Sequence, residues 1–139
     1  MLVYFDTNML LYRFDHSAPR KQAIARRLLD DAIGDGSAVL STQNLQEFYS
    51  VATAKFKMPG DIAQSFARSF ARATVIQLTP DMIFAAMDRQ RSGSFAFWDA
   101  LVIEAALRAG VEVLYSEDMQ HGQVIEGLRL HNPFEEAPG

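Results

Sequence analysis

Short apolar-rich runs recur along this chain, separated by longer segments in which apolar residues return at helical spacing. The runs occupy residues 2–5, 38–41, 75–78, 111–115 and 128–131. The first, Leu2 to Phe5, stays apolar without alternating, which suits a strand covered on both faces, as in a parallel sheet, and the segments between the runs carry helix signals. Strands that alternate with helices predict an α/β fold built on a parallel sheet, with the last run as a possible fifth strand.

Punctuation sets the expected helix limits. A short helix is expected from Asn8. Ser17 is the expected cap of a second, with Pro19 in its first turn, Ile24, Leu28, Leu29 and Ile33 inward, and Gly34 at its end. Thr42 is expected to open a third, whose stripe Leu45, Phe48, Tyr49, Ala52 and Phe56 ends at Pro59-Gly60. Ile62, Phe66, Phe70 and Ala73 repeat the pattern; both aromatic stripes are expected as core, with an apolar groove for a partner helix as the alternative. Thr79-Pro80 starts a helix to about Arg91, and another runs from about Trp98 to Ala109 before Gly110. Pro138-Gly139 reads as a tail.

A chain of 139 residues, 49% hydrophobic, suits one compact domain with one cleft. Its apolar runs are too short to span a bilayer or to serve as a signal peptide's core, so a cytoplasmic protein is expected. The absence of cysteine removes disulfide frameworks, thiolate zinc sites and cysteine nucleophiles. A net charge of −4 is unusual for a protein that binds nucleic acid, but four carboxylates neutralised by metal would remove that deficit. Ten Arg against three Lys favours phosphate recognition, with clusters at Arg20-Lys21, Arg26-Arg27, Arg68/Arg72 and Arg89/Arg91; solvated helix faces are the plainer reading of each pair.

In open parallel sheets, sites form beyond the carboxyl ends of the strands. Asp6 follows the first run and Ser116-Glu117-Asp118 the fourth, while Asp99 lies in a first helical turn and Glu47 about one turn beyond Thr42. These four acids can meet on one edge if the strand order permits, and the residues alone leave that order open. Each also has a plain reading. Asp6 could cap a helix, Asp99 could answer a helix dipole, and the apolar stripe places Glu47 on the opposite, solvated face. Carboxylates drawn together repel unless a cation separates them, and oxygen donors suit Mg²⁺ or Mn²⁺. Thr7, Asn8 and Ser116 add groups able to orient a carboxylate or a bound water.

With these residues in view, the chain resembles the PIN domains, and within them the small bacterial toxins of the VapC type. The likeness rests on Asp6-Thr7-Asn8 after an apolar strand, on Gln46-Glu47-Phe48, on Phe97-Trp98-Asp99-Ala100-Leu101, and on Ser116-Glu117-Asp118-Met119-Gln120-His121-Gly122. It covers nearly the whole chain in order. Ser116 stands where threonine is usual, and Glu117 is a reserve for its neighbour Asp118. The resemblance implies one nuclease domain, a three-layer α/β/α fold with a parallel sheet of about five strands, and endoribonuclease activity with one or two Mg²⁺ or Mn²⁺ ions. It also implies an RNA substrate, homodimerisation, and a small antitoxin encoded alongside. On that reading Asp6, Glu47, Asp99 and Asp118 bind metal directly or through water, which activates a water molecule and stabilises the phosphoryl transition state.

Other readings compete. A stand-alone PIN-type RNA-processing nuclease shares the chemistry without the antitoxin. A receiver-like phosphoacceptor needs an acid pair after the first strand and usually a late lysine, but Asp6 stands alone and no Lys follows Lys57. A third is a domain of this fold that only binds a partner. Phosphate-loop and dinucleotide motifs are absent, and His16, His121 and His131 are not paired at an acid–base spacing.

Overall fold

The computed structural model describes residues 1–93 and 95–135, so the tail expected at Pro138-Gly139 lies outside the described residues. In chain order the elements are β1 Val3–Phe5, α1 Thr7–Tyr12, α2 Pro19–Asp35, β2 Ala38–Ser41, α3 Thr42–Ala54, α4 Gly60–Phe70, β3 Thr74–Ile76, α5 Pro80–Ser92, α6 Phe97–Arg108, β4 Val113–Tyr115, β5 Val124–Ile125 and β6 Leu128–His131. The sheet has six strands in the order β3-β2-β1-β4-β6-β5. All neighbours run parallel except β5 and β6. The expected five-strand parallel sheet is therefore present with one antiparallel addition at its edge.

Helices cover both faces. Val3, Phe5 and Leu40 point into a core shared with α1 to α4, while Tyr4, Val39 and Leu114 point into a second core against α6. This double burial explains why β1 and β2 are apolar at successive positions. Phe48 and Phe70 are fully or nearly fully buried and pack edge to face at 5.0 Å. Phe14 and Phe66 join the same cluster, so the aromatic stripes are core, with Tyr49 and Ile62 left facing solvent.

Several element limits differ from those the sequence predicts. The second helix passes Gly34 and ends at Gly36, whose φ of +79° is the left-handed conformation a helix end favours. Its cap position is Ala18, because the Ser17 hydroxyl bonds Asp15 instead. Ser41 rather than Thr42 caps α3, since the Ser41 backbone N–H is taken by the Asn44 side chain at 2.8 Å. Among the described residues, no helix is long and apolar enough to cross a membrane.

Candidate active site

The strand order supplies what the sequence left open. From β1 the chain moves through β2 to β3 on one side, then returns to place β4 on the other side. The edge beyond the carboxyl ends of β1 and β4 is thus a topological switch point, where the loops diverge and leave a crevice. Asp6 leaves β1 there and Ser116 leaves β4, and the backbones are tied by a 3.0 Å bond from the Asp6 N–H to the Tyr115 carbonyl.

Asp6 is the N-cap of α1, where its Oδ1 accepts the Thr7 N–H at 2.8 Å, and its Oδ2 accepts the buried Ser116 hydroxyl at 2.9 Å. The capping reading of Asp6 is therefore correct and does not exhaust its role. Burial pushes its carboxyl up to about 6, helped by the nearby charges of Asp118 and Asp99 and opposed by the two hydrogen bonds. Asp99, in the first turn of α6, is also raised, by burial first and then by the charges of Asp118 and Glu47. Asp118 accepts from the Asn8 side-chain amide at 2.9 Å, and its own N–H reaches the Ser116 hydroxyl at 3.3 Å.

Glu47 joins the same edge. It is exposed, as the α3 stripe predicts, yet its Oε1 accepts the Thr7 hydroxyl at 3.0 Å, so the solvated face borders the site. The buried face of α3 is centred on Asn44, Phe48 and Ala52, and Leu45 is only partly buried. Rotating the buried face toward Asn44 carries Glu47 to its border. Asn44 itself was not singled out by the sequence, although it is 1% exposed and links the site to the core. Its only local signal is its place three residues after the cap Ser41.

Glu117, the reserve acid, faces elsewhere. Lys21 and the Tyr12 hydroxyl both donate to it. Part-burial works the other way, yet these bonds hold Glu117 below the usual carboxylate range. Of the histidines, His16 is exposed, and His121 accepts the Asn132 N–H at 2.9 Å and packs against the His131 ring. The basic clusters are also largely engaged, Arg20 with the Phe134 carbonyl, Arg89 with Glu104 and Glu126, and Arg91 with Asp88.

A cleft of about 440 Å³ begins at Asn8 and runs along Leu11, Tyr12, Val51 and Phe56, with Asp15 and Lys55 on its wall. The four acids act on one another through charge. Among the described residues, no three His, Asp or Glu side chains form a group that could hold a metal ion as they stand. The donor chemistry nevertheless fits a hard cation, because the acids and their partners Thr7, Asn8 and Ser116 offer oxygen and amide groups and no thiol.

The PIN domain family model matches residues 3–125. No curated protein matches the chain. Among solved structures, a toxin–antitoxin complex from Klebsiella pneumoniae is 19% identical, covering 96% of this chain and 99% of that one at a TM-score of 0.71. VapC20 of Mycobacterium tuberculosis, a toxin that cleaves the sarcin-ricin loop, is 18% identical over 84% of this chain and 89% of its own, at a TM-score of 0.67. VapBC2 of Rickettsia felis, bound to a DNA fragment from its promoter, is 17% identical over 95% of this chain and 98% of that one, at 0.63. At these identities the structural likeness is one of fold. The family match spans most of the sequence, and the chain belongs to the PIN domain family.

Proposed function

We propose that the chain is a divalent-metal-dependent endoribonuclease, the toxin of a type II toxin–antitoxin pair, acting in the cytoplasm as a homodimer. The observation that carries the nuclease reading is electrostatic. Acids separated by up to 112 positions, from Asp6 to Asp118, approach one sheet edge, where burial first and the neighbouring acidic charges second raise the carboxyls of Asp6 and Asp99. Such a cluster is costly to the fold, and a cation would relieve it. The toxin reading is supported by family membership and by fold neighbours described as a toxin and as toxin–antitoxin complexes.

Asp6, Glu47, Asp99 and Asp118 would hold one or two Mg²⁺ or Mn²⁺ ions. When bound, such an ion polarises a phosphodiester and makes water a stronger nucleophile. The chain's own residues set the frame. Ser116 and the Thr7 N–H fix the two Asp6 oxygens, Asn8 orients Asp118, and Thr7 orients Glu47. The fixed dipoles need little reorganisation when charge develops on the phosphate.

Purified protein is expected to cut RNA with Mg²⁺ or Mn²⁺ and to stop when EDTA is added. Asp6→Asn and Asp99→Asn are each expected to slow cleavage by about 100-fold or more, the scale of losing one group that stabilises developing charge. Undiminished cutting by both variants would overturn the metal reading. The toxin assignment is tested separately by coexpression with the product of a short adjoining reading frame. Formation of a stable complex that blocks cleavage supports it, and the absence of any such frame favours a stand-alone RNA-processing nuclease.

A further inference from the structure

A buried chain of hydrogen bonds leads from the second core to Glu47, and its direction is fixed by groups that can act in only one sense. The Asn44 Oδ1 accepts the Ser41 backbone N–H at 2.8 Å and the Tyr4 hydroxyl, while its Nδ2 donates to the Phe5 carbonyl at 3.1 Å. A backbone N–H can only donate and a carbonyl can only accept, so the amide cannot be flipped without breaking both. The second hydrogen on Nδ2 then points to the Thr7 hydroxyl, 3.1 Å away. A hydroxyl carries one hydrogen. With a lone pair of Thr7 engaged by Asn44, that hydrogen goes to Glu47 Oε1 at 3.0 Å.

We propose that Asn44 is a positioning residue for Glu47, acting through Thr7 to hold the exposed glutamate on the sheet edge with its second oxygen left for a ligand. Asn44 and Thr7 are 1% and 6% exposed, so the bond between them is shielded from water, whereas Glu47 lies on an open helix face where its side chain would otherwise sample many rotamers. The relay supplies the order that the helix surface does not. It rests on the assignment of Glu47 to metal binding made above.

The test is Mn²⁺ affinity of metal-stripped protein by calorimetry, with melting temperature measured alongside. Glu47→Gln establishes the baseline. Thr7→Val, a near-isosteric change, and Asn44→Leu are each expected to weaken Mn²⁺ by about 10-fold, as loss of an orienting partner does. The double variant should be no weaker than the single ones, because both act through one bond. Thr7→Ser should restore affinity to within about twofold of the parent. Tyr4→Phe removes a bond on the far side of the amide, so it should lower the melting temperature and leave Mn²⁺ affinity near that of the parent.

Additive losses in the double variant would overturn the relay, as would failure of Thr7→Ser to restore binding or a Tyr4→Phe loss equal to that of Asn44→Leu. If Glu47→Gln weakens Mn²⁺ while Thr7→Val and Asn44→Leu do not, the relay is wrong and the metal reading stands. If Glu47→Gln leaves Mn²⁺ affinity unchanged, the metal role of Glu47 itself fails and the relay falls with it.

Discussion

Asp6 carries two demands that conflict. It caps α1 and receives the Ser116 hydroxyl, both of which favour the ionised form, yet burial and its acidic neighbours raise it to about 6. Because the folded-state value lies above the ordinary value, ionising Asp6 opposes folding. The folded protein binds the proton more tightly between about pH 4 and pH 6, so stability from this group declines as pH rises through that window and stays low above it. In EDTA at pH 7, Asp6→Asn is therefore expected to be more stable than the parent by about 1–2 kcal/mol, with the gap closing below pH 4, as measured by denaturant unfolding. A variant that is less stable than the parent at pH 7 and equal at pH 4 would contradict it. The same residue shows what sequence reading can reach. Asp6 and Asp118 were legible because a strand end precedes each, and Asp99 because it follows a helix start. Glu47 is exposed, as the apolar stripe of α3 predicts, but the stripe does not show that it borders the site and accepts the Thr7 hydroxyl, and the buried polar residue Asn44 does not register in an apolar pattern.

At the scale of elements, α5, α6 and the β5–β6 turn are joined by one arginine. Arg89 bonds Glu104 through its Nε at 2.9 Å and Glu126 through its Nη2 at 2.7 Å. Glu104 is 7% exposed and its other pair, with Arg108, is a longer 3.8 Å contact, so removing Arg89 leaves a buried charge poorly compensated. Arg89→Met is expected to destabilise the protein by about 2–4 kcal/mol in chemical unfolding, whereas Arg91→Met, whose pair with Asp88 is exposed, should change stability by less than about 0.5 kcal/mol. Gly36→Ala should cost about 1 kcal/mol, because its φ of +79° strains any residue with a Cβ. The helices were legible to within a residue or two from capping and periodicity. The β5 strand was not, because it has two residues and is followed by Glu126 and Gly127, both at positive φ. That is the backbone of a tight hairpin turn, and Glu-Gly lacks the asparagine or aspartate that usually announces one.

At the scale of the molecule, the α/β class followed from the alternation of strands and helices, whereas the site depended on strand order. Sequential runs could have been arranged in several orders, and the observed order sets the ends of β1 and β4 side by side, with Asp6 and Ser116 at that edge. The proposed function requires this edge to bind a divalent cation through the four carboxylates of Asp6, Glu47, Asp99 and Asp118. Its most direct measurement is Mn²⁺ titration of EDTA-stripped protein by calorimetry at pH 6 in two buffers of different ionisation heat. Saturable binding is expected, with release of up to about half a proton per protein as the ion displaces the proton held by Asp6, and with weaker affinity in Asp6→Asn, Asp99→Asn and Asp118→Asn. Absence of saturable binding, or affinity equal to the parent in all three variants, would contradict it.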